Sequence, residues 1–173
     1  MNLEQRLIKC YQLDNTTCNQ AFIDYIAQRG SNNDNSQPHS GNLTTDQYYR
    51  ISDIDHNQQP YSGFFTWFRH TLASYVDTLV DGDVSPFNYQ FAALWAAHYT
   101  DADSAKPHVH GASCISWVYY LQVDDSAADL VFETFDLRVK PRTGLLVMFP
   151  GWVRHGVAVG GPRTILAGNV IVS

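Results

Sequence analysis

The sequence predicts a mainly β fold, a jelly roll buttressed by N-terminal helices, and three observations lead there. From Asn88 onward, short apolar segments follow one another, separated by Gly, Pro and Asp turn signals, which is the pattern of a sandwich or barrel. Helical patterns precede these strands rather than alternating with them, which argues against a parallel α/β sheet. Aromatic content is 13%, with ten tyrosines, a composition that suits half-buried strands. At 173 residues the chain reads as a single domain, 1–173, long enough to bury a core. Residues 1–87 form the helical and irregular buttress, residues 88–173 the β core; there is no internal repeat.

Taken in order, Leu3 to Leu13 fits a short helix or a strand equally well. Asp14 to Thr17 offer N-cap side chains for a helix over Cys18 to Gln28, with Phe22, Ile23 and Ile26 on one face and Gly30 as its C′ residue. Ser31 to Asn42 is nearly devoid of apolar side chains and reads as an exposed loop. A second helix spans Gly63 to Val80, where Phe64, Phe65, Phe68, Leu72, Tyr75, Val76 and Leu79 recur at helical spacing; Asp81-Gly82-Asp83 ends it. The strands expected after that are Tyr89 to Ala97, Ile115 to Val123, Leu130 to Phe135, Leu145 to Phe149, His155 to Val159 and Thr164 to Val172. Asp101 to Lys106 reads as a polar turn.

Composition excludes some functions. A net charge of −6, with only 11 scattered Lys and Arg, disfavours nucleic acid, whose phosphates are bound largely by cations. No apolar run approaches the length of a membrane span, and MNLEQRLIKC carries no signal-peptide-like apolar segment. Three cysteines (Cys10, Cys18, Cys114) match no zinc-ribbon spacing and read as reduced thiols, so a cytoplasmic location is expected.

The chemistry concentrates in two segments, Lys106 to Leu121 and Phe149 to Arg163. In a strand, residues i and i+2 share a face, so His108 and His110 are expected to project side by side. His155 follows a buried strand and a Pro-Gly turn, and Arg163 opens the last apolar strand. A buried arginine needs an anion, because an unpaired buried charge costs several kcal/mol. That partner is either one of the 17 Asp and Glu residues or a bound carboxylate gripped by the guanidinium fork. The bland readings are two surface histidines in a polar turn and a hydrogen-bonded core histidine.

Together these segments resemble the C-terminal half of the iron(II)/2-oxoglutarate-dependent dioxygenases, nearest to the prolyl-hydroxylase-like branch and to small bacterial and phage members. The resemblance covers roughly Tyr89 to Ser173, including Gly144 to Pro150 as the run before the distal histidine. It implies a double-stranded β-helix core that couples oxidative decarboxylation of 2-oxoglutarate to hydroxylation, with Fe(II), 2-oxoglutarate and O₂. His108 and His155 match the family's ligands, Arg163 the anchor of the far carboxylate, and Tyr120 a tyrosine contacting that carboxylate. The chain departs from the family twice. His110 stands where a carboxylate ligand is expected, giving three imidazoles, and Ile165 stands where many members have serine. Asn169 and His98 match positions that often contact cosubstrate or substrate, Asn169 reading equally as a hydrogen-bonded core amide; Trp95 and Tyr89 are cavity-lining candidates that read more readily as core. Asp101 and Asp103 are candidate replacement ligands or solvated turn residues, and Cys114 reads as a buried thiol.

The substrate implied by analogy is a peptidyl side chain or a small molecule, with the loop over residues 31–46 placed to cover the pocket mouth. Two other readings stay open: a cupin-like three-histidine dioxygenase that does not use 2-oxoglutarate, with Arg163 on a substrate carboxylate, and a non-catalytic β-roll binding module.

Overall fold

Two antiparallel sheets share a buried layer, and two helices cover the outer face of the larger one. The computed structural model describes residues 3–31, 42–80, 88–111 and 114–172. Its helices are α1 (Leu3–Leu7), α2 (Thr17–Ser31) and α3 (Ser62–Val80). The strands are β1 (Lys9–Gln12), β2 (Tyr48–Arg50), β3 (Tyr89–Tyr99), β4 (Ala105–His108), β5 (Ile115–Val123), β6 (Leu130–Phe132), β7 (Leu137–Val139), β8 (Leu145–Pro150), β9 (His155–Val157) and β10 (Arg163–Val172). The large sheet runs β1-β8-β5-β10-β3-β2 and the small one β4-β9-β6-β7.

Strand alternation sorts side chains into two apolar layers. On β5, Ile115, Trp117, Tyr119 and Leu121 face the helices, whereas Val118 and Tyr120 face the small sheet. β8 divides the same way, Leu146 and Met148 against Leu145, Val147 and Phe149. The helical spacing of α3 buries Phe64, Phe68 and Leu72 completely or nearly so. Phe64 meets the Tyr119 ring at 4.8 Å and Phe68 the Trp117 ring at 4.7 Å between centroids. Burying each such side chain stabilises the fold by roughly 1.5–3 kcal/mol. α2 is fixed by polar contacts as well: Asn19 Nδ2 donates to the Leu121 carbonyl at 2.8 Å and Asn19 Oδ1 accepts from the Tyr119 hydroxyl at 2.8 Å. Both helices therefore hold β5, the strand that carries Tyr120.

Several sequence expectations need correction. Leu3 to Leu13 contains both a helix and a strand. α2 begins where expected, Asn15 Oδ1 accepting from the Thr17 amide at 3.2 Å, but it continues through Gly30. A Cβ on Gly30 would lie 2.9 Å from the Tyr49 hydroxyl, so glycine serves close approach there and not a C′ turn. The strand expected to Phe135 stops at Phe132 in a 3₁₀ turn, and β7 follows it. β2 and β4 are further strands beyond the expected set, and β9 ends at Val157. The Asp81-Gly82-Asp83 stop and residues 32–41 of the loop lie outside the described residues; Leu43, from the loop's described end, lines the cavity between the sheets. No helix among the described residues is long and apolar enough to cross a membrane.

Candidate metal and anion site

The small sheet brings the histidines together. β4 pairs with β9 so that His108 stands directly opposite His155. A Cβ on Gly156 would lie 2.9 Å from the Ala105 carbonyl oxygen, so the glycine beside His155 permits this close pairing. His110 reaches the cluster differently from the expected i, i+2 alternation. β4 ends at His108, and the His110 amide donates to the Gly151 carbonyl at 2.7 Å, which fixes the segment beyond the strand. The result is one potential donor atom from each of the three rings, all within 4.8 Å of one another.

Ring orientation and protonation suit a metal. His108 Nδ1 lies 2.7 Å from the Lys106 carbonyl and His155 Nδ1 2.9 Å from that of Val153. A carbonyl only accepts, so both Nδ1 atoms carry the proton and both Nε2 lone pairs are free. Burial pushes the His155 pKa down to about 3, the nearby His108 and His110 adding to this against a smaller opposing effect of the Val153 carbonyl. Burial, then His108, pushes His110 down to about 4. Three converging imidazoles, His155 buried and His108 and His110 partly so, fit a first-row divalent ion such as iron or zinc, since metal binding requires the unprotonated ring that burial favours at His110 and His155.

An anion anchor shares this cavity. Arg163, the first residue of β10, is 3% exposed, and its guanidinium carbon lies 4.2 Å from the Tyr99 ring centroid. Both terminal nitrogens are buried without a hydrogen-bond partner among the described residues. Asp103 is the nearby acid, but its carboxylate accepts from the Thr100 amide and hydroxyl and from the Thr44 hydroxyl. Burial lowers the Arg163 pKa, with Tyr99, Tyr120 and Asp103 acting in the opposite direction, and the guanidinium stays charged. The fully buried Tyr120 phenol is raised well above its ordinary value by desolvation, partly offset by Arg163, so it remains a neutral donor. Trp95, Val118, Phe149 and Ile165 give the same cavity apolar walls.

The remaining sequence candidates divide by strand face. Trp95 lines the cavity, and Asn169 lies against His110, its amide nitrogen 3.4 Å from Nδ1. His98 does not face this cavity. It has the opposite parity to Trp95 and Tyr99 on β3, and its Nδ1 lies 2.9 Å from the Thr164 hydroxyl beside Ile23 and Tyr49. Tyr89 is a core residue, the second of its two sequence alternatives. The β3–β10 register shifts at Asn169/Val170, and that bulge turns Tyr89 toward Phe68 in the helix-facing layer. Asp103 caps the 100–103 turn, Asp101 is exposed, and neither joins the histidine cluster. Cys114 is only half-buried, its thiol 3.0 Å from the Gly111 carbonyl. Sequence reasoning overlooked Tyr99 and Ser116, both lining residues; period two from Trp95 points to the first, and a small polar side chain among large apolar and aromatic ones to the second.

The depressed histidine pKa values carry a stability prediction for the metal-free protein. In the unfolded chain these rings take up protons near pH 6.5, whereas the folded rings stay neutral down to about 4 and 3. Between those limits the unfolded state binds more protons, so stability is complete above pH 6.5 and falls on acidification. Each ring contributes up to about 1.4 kcal/mol per pH unit in that window. Urea melts from pH 7.5 to 5 check this; equal midpoints throughout would show that the rings titrate normally.

No protein-family model matches the sequence, and no curated protein matches it. Solved structures do. A viral collagen prolyl hydroxylase from Paramecium Bursaria Chlorella virus-1, in complex with 2OG, superposes with a TM-score of 0.68 at 12% identity, covering 96% of this chain and 97% of that one. A Pseudomonas putida prolyl-4-hydroxylase gives 0.67 at 17% identity, covering 98% and 94%. An oxidoreductase of the 2OG-Fe(II) oxygenase family from Burkholderia pseudomallei gives 0.62 at 13% identity, covering 98% and 86%. The chain thus has the fold of these prolyl hydroxylases and of the 2OG-Fe(II) oxygenase family protein over nearly its whole length.

Proposed function

We propose that the whole chain is one oxygenase domain with a double-stranded β-helix core, coupling oxidative decarboxylation of 2-oxoglutarate to hydroxylation of a substrate C–H bond. The observation that carries this reading is Arg163: a buried guanidinium with two nitrogens unpartnered among the described residues, opening onto the cavity where three imidazoles converge. His108, His110 and His155 hold Fe(II), and Arg163 with Tyr120 holds the far carboxylate of 2-oxoglutarate. When bound, the iron supplies the O₂ activation that decarboxylation and hydroxylation require. The chain's own work is binding and orientation. Backbone carbonyls fix the His108 and His155 rings, the Arg163 fork sets the direction of the cosubstrate, and Trp95, Phe149 and Ile165 exclude water.

The viral collagen prolyl hydroxylase among the structural neighbours supports a peptidyl side chain as substrate. The net charge of −6 supports a substrate other than nucleic acid, and three free cysteines support a cytoplasmic protein. Because no carboxylate among the described residues joins the cluster, a cupin-like three-histidine dioxygenase that binds a substrate carboxylate on Arg163 is the second reading. Succinate release with Fe(II), ascorbate and 2-oxoglutarate separates the two. The proposal expects iron-dependent succinate formation; none, with the protein iron-loaded, would refute it.

A further inference from the structure

A histidine that ligates through Nε2 needs its Nδ1 proton held by an acceptor, which sets tautomer and ring angle. His108 and His155 have backbone carbonyls in that role. Beside His110 Nδ1 stands instead the side-chain amide of Asn169, 3.4 Å away, whose oxygen accepts from the Ser116 hydroxyl at 2.7 Å. With nitrogen toward the ring, the amide donates to Nδ1, the proton moves to Nε2, and no lone pair is left there for a metal. Half a turn of the amide reverses this: the oxygen accepts from Nδ1–H and Nε2 is freed. Ser116 accommodates either orientation, because a hydroxyl donates to the amide oxygen or accepts from the amide nitrogen.

We infer that Asn169, backed by Ser116, is the positioning residue that makes His110 a ligand, presenting its oxygen to His110 Nδ1 in the metal-loaded protein. This rests on the metal-centre reading above. It also accounts for an imidazole working at a position where a carboxylate was expected, since the neighbouring strand supplies the acceptor that an imidazole ligand needs. Asn169 has the same strand parity as Arg163, Ile165 and Ala167, which line the cavity.

Co(II) titration followed by visible absorption, with no 2-oxoglutarate present, tests the assignment. Asn169→Leu removes the acceptor and is expected to weaken Co(II) binding about 10–100-fold. Asn169→Asp restores an acceptor and is expected to bind within a few-fold of the unsubstituted protein, a rescue that a packing role for the amide does not produce. Ring ¹⁵N shifts of the Zn(II) form of the unsubstituted protein are expected to place the His110 proton on Nδ1. A proton on Nε2 overturns the inference with no substitution involved. If His110→Ala weakens Co(II) binding but Asn169→Leu does not, the positioning role alone falls. If His110→Ala binds Co(II) as the unsubstituted protein does, His110 is no ligand and both readings fall together.

Discussion

His155→Ala is expected to leave a folded protein that no longer holds a metal. His155 stands opposite His108 across the β4–β9 pair and is 7% exposed, and alanine offers no ligand atom in its place. Changes in the outer shell of a metal site alone cost about 10–100-fold in affinity, and removing one of three ligands should exceed about 100-fold. Succinate formation should be lost with the iron. Some stability is lost as well, because the ring packs on Phe149 at 4.6 Å and Phe132 at 6.3 Å between centroids. Truncation leaves a void costing roughly 2 kcal/mol. Metal content by elemental analysis and a melt of the metal-free form separate the two effects; iron content unchanged by the substitution removes His155 from the site.

Arg163→Met should have effects of opposite sign on stability and on binding. In the ligand-free protein the guanidinium is buried with both terminal nitrogens unpartnered, and replacing such a charge with an apolar side chain of similar length stabilises by about 1–4 kcal/mol. Loss of the stacking on Tyr99 returns roughly 0.5–2 kcal/mol of that. The melting temperature of the metal-free variant is therefore expected to rise or hold. Affinity for 2-oxoglutarate should fall by about 2–5 kcal/mol, because the cosubstrate carboxylate is then buried without its cation. A variant that melts lower and binds 2-oxoglutarate equally well would show that the guanidinium is a structural group with a partner elsewhere.

The parts of the site readable in the sequence are those fixed by local chemistry. His155 and Arg163 each follow a turn and open a strand, and two histidines flanking a single residue are visible without any fold. Tyr120 is singled out by the family resemblance and not by local chemistry; strand parity then puts it on the cavity face of β5. What escaped depends on long-range register. His98 and Trp95 are both cavity candidates by sequence, yet an odd separation along β3 puts them on opposite faces. Tyr89 has the right parity for the cavity, and only the bulge opposite Asn169 turns it away. The short strands β1 and β2 sit at sheet edges and owe their state to one neighbour each, β8 and β3, which no local pattern encodes. The contact between Asn169 and His110 spans 59 residues and joins β10 to the segment beyond β4, so neither residue's neighbours in sequence announce it.

The central claim is that one cavity holds iron on three imidazoles and a 2-oxo acid by Arg163. Anaerobic titration of the Fe(II)-loaded protein with 2-oxoglutarate tests this most directly, because chelation of iron(II) by the 2-oxo acid is read as a visible charge-transfer absorption. The account predicts a saturable band in the unsubstituted protein that Arg163→Met shifts to far higher 2-oxoglutarate concentration. An iron-loaded protein that gives no band at saturating 2-oxoglutarate would contradict it.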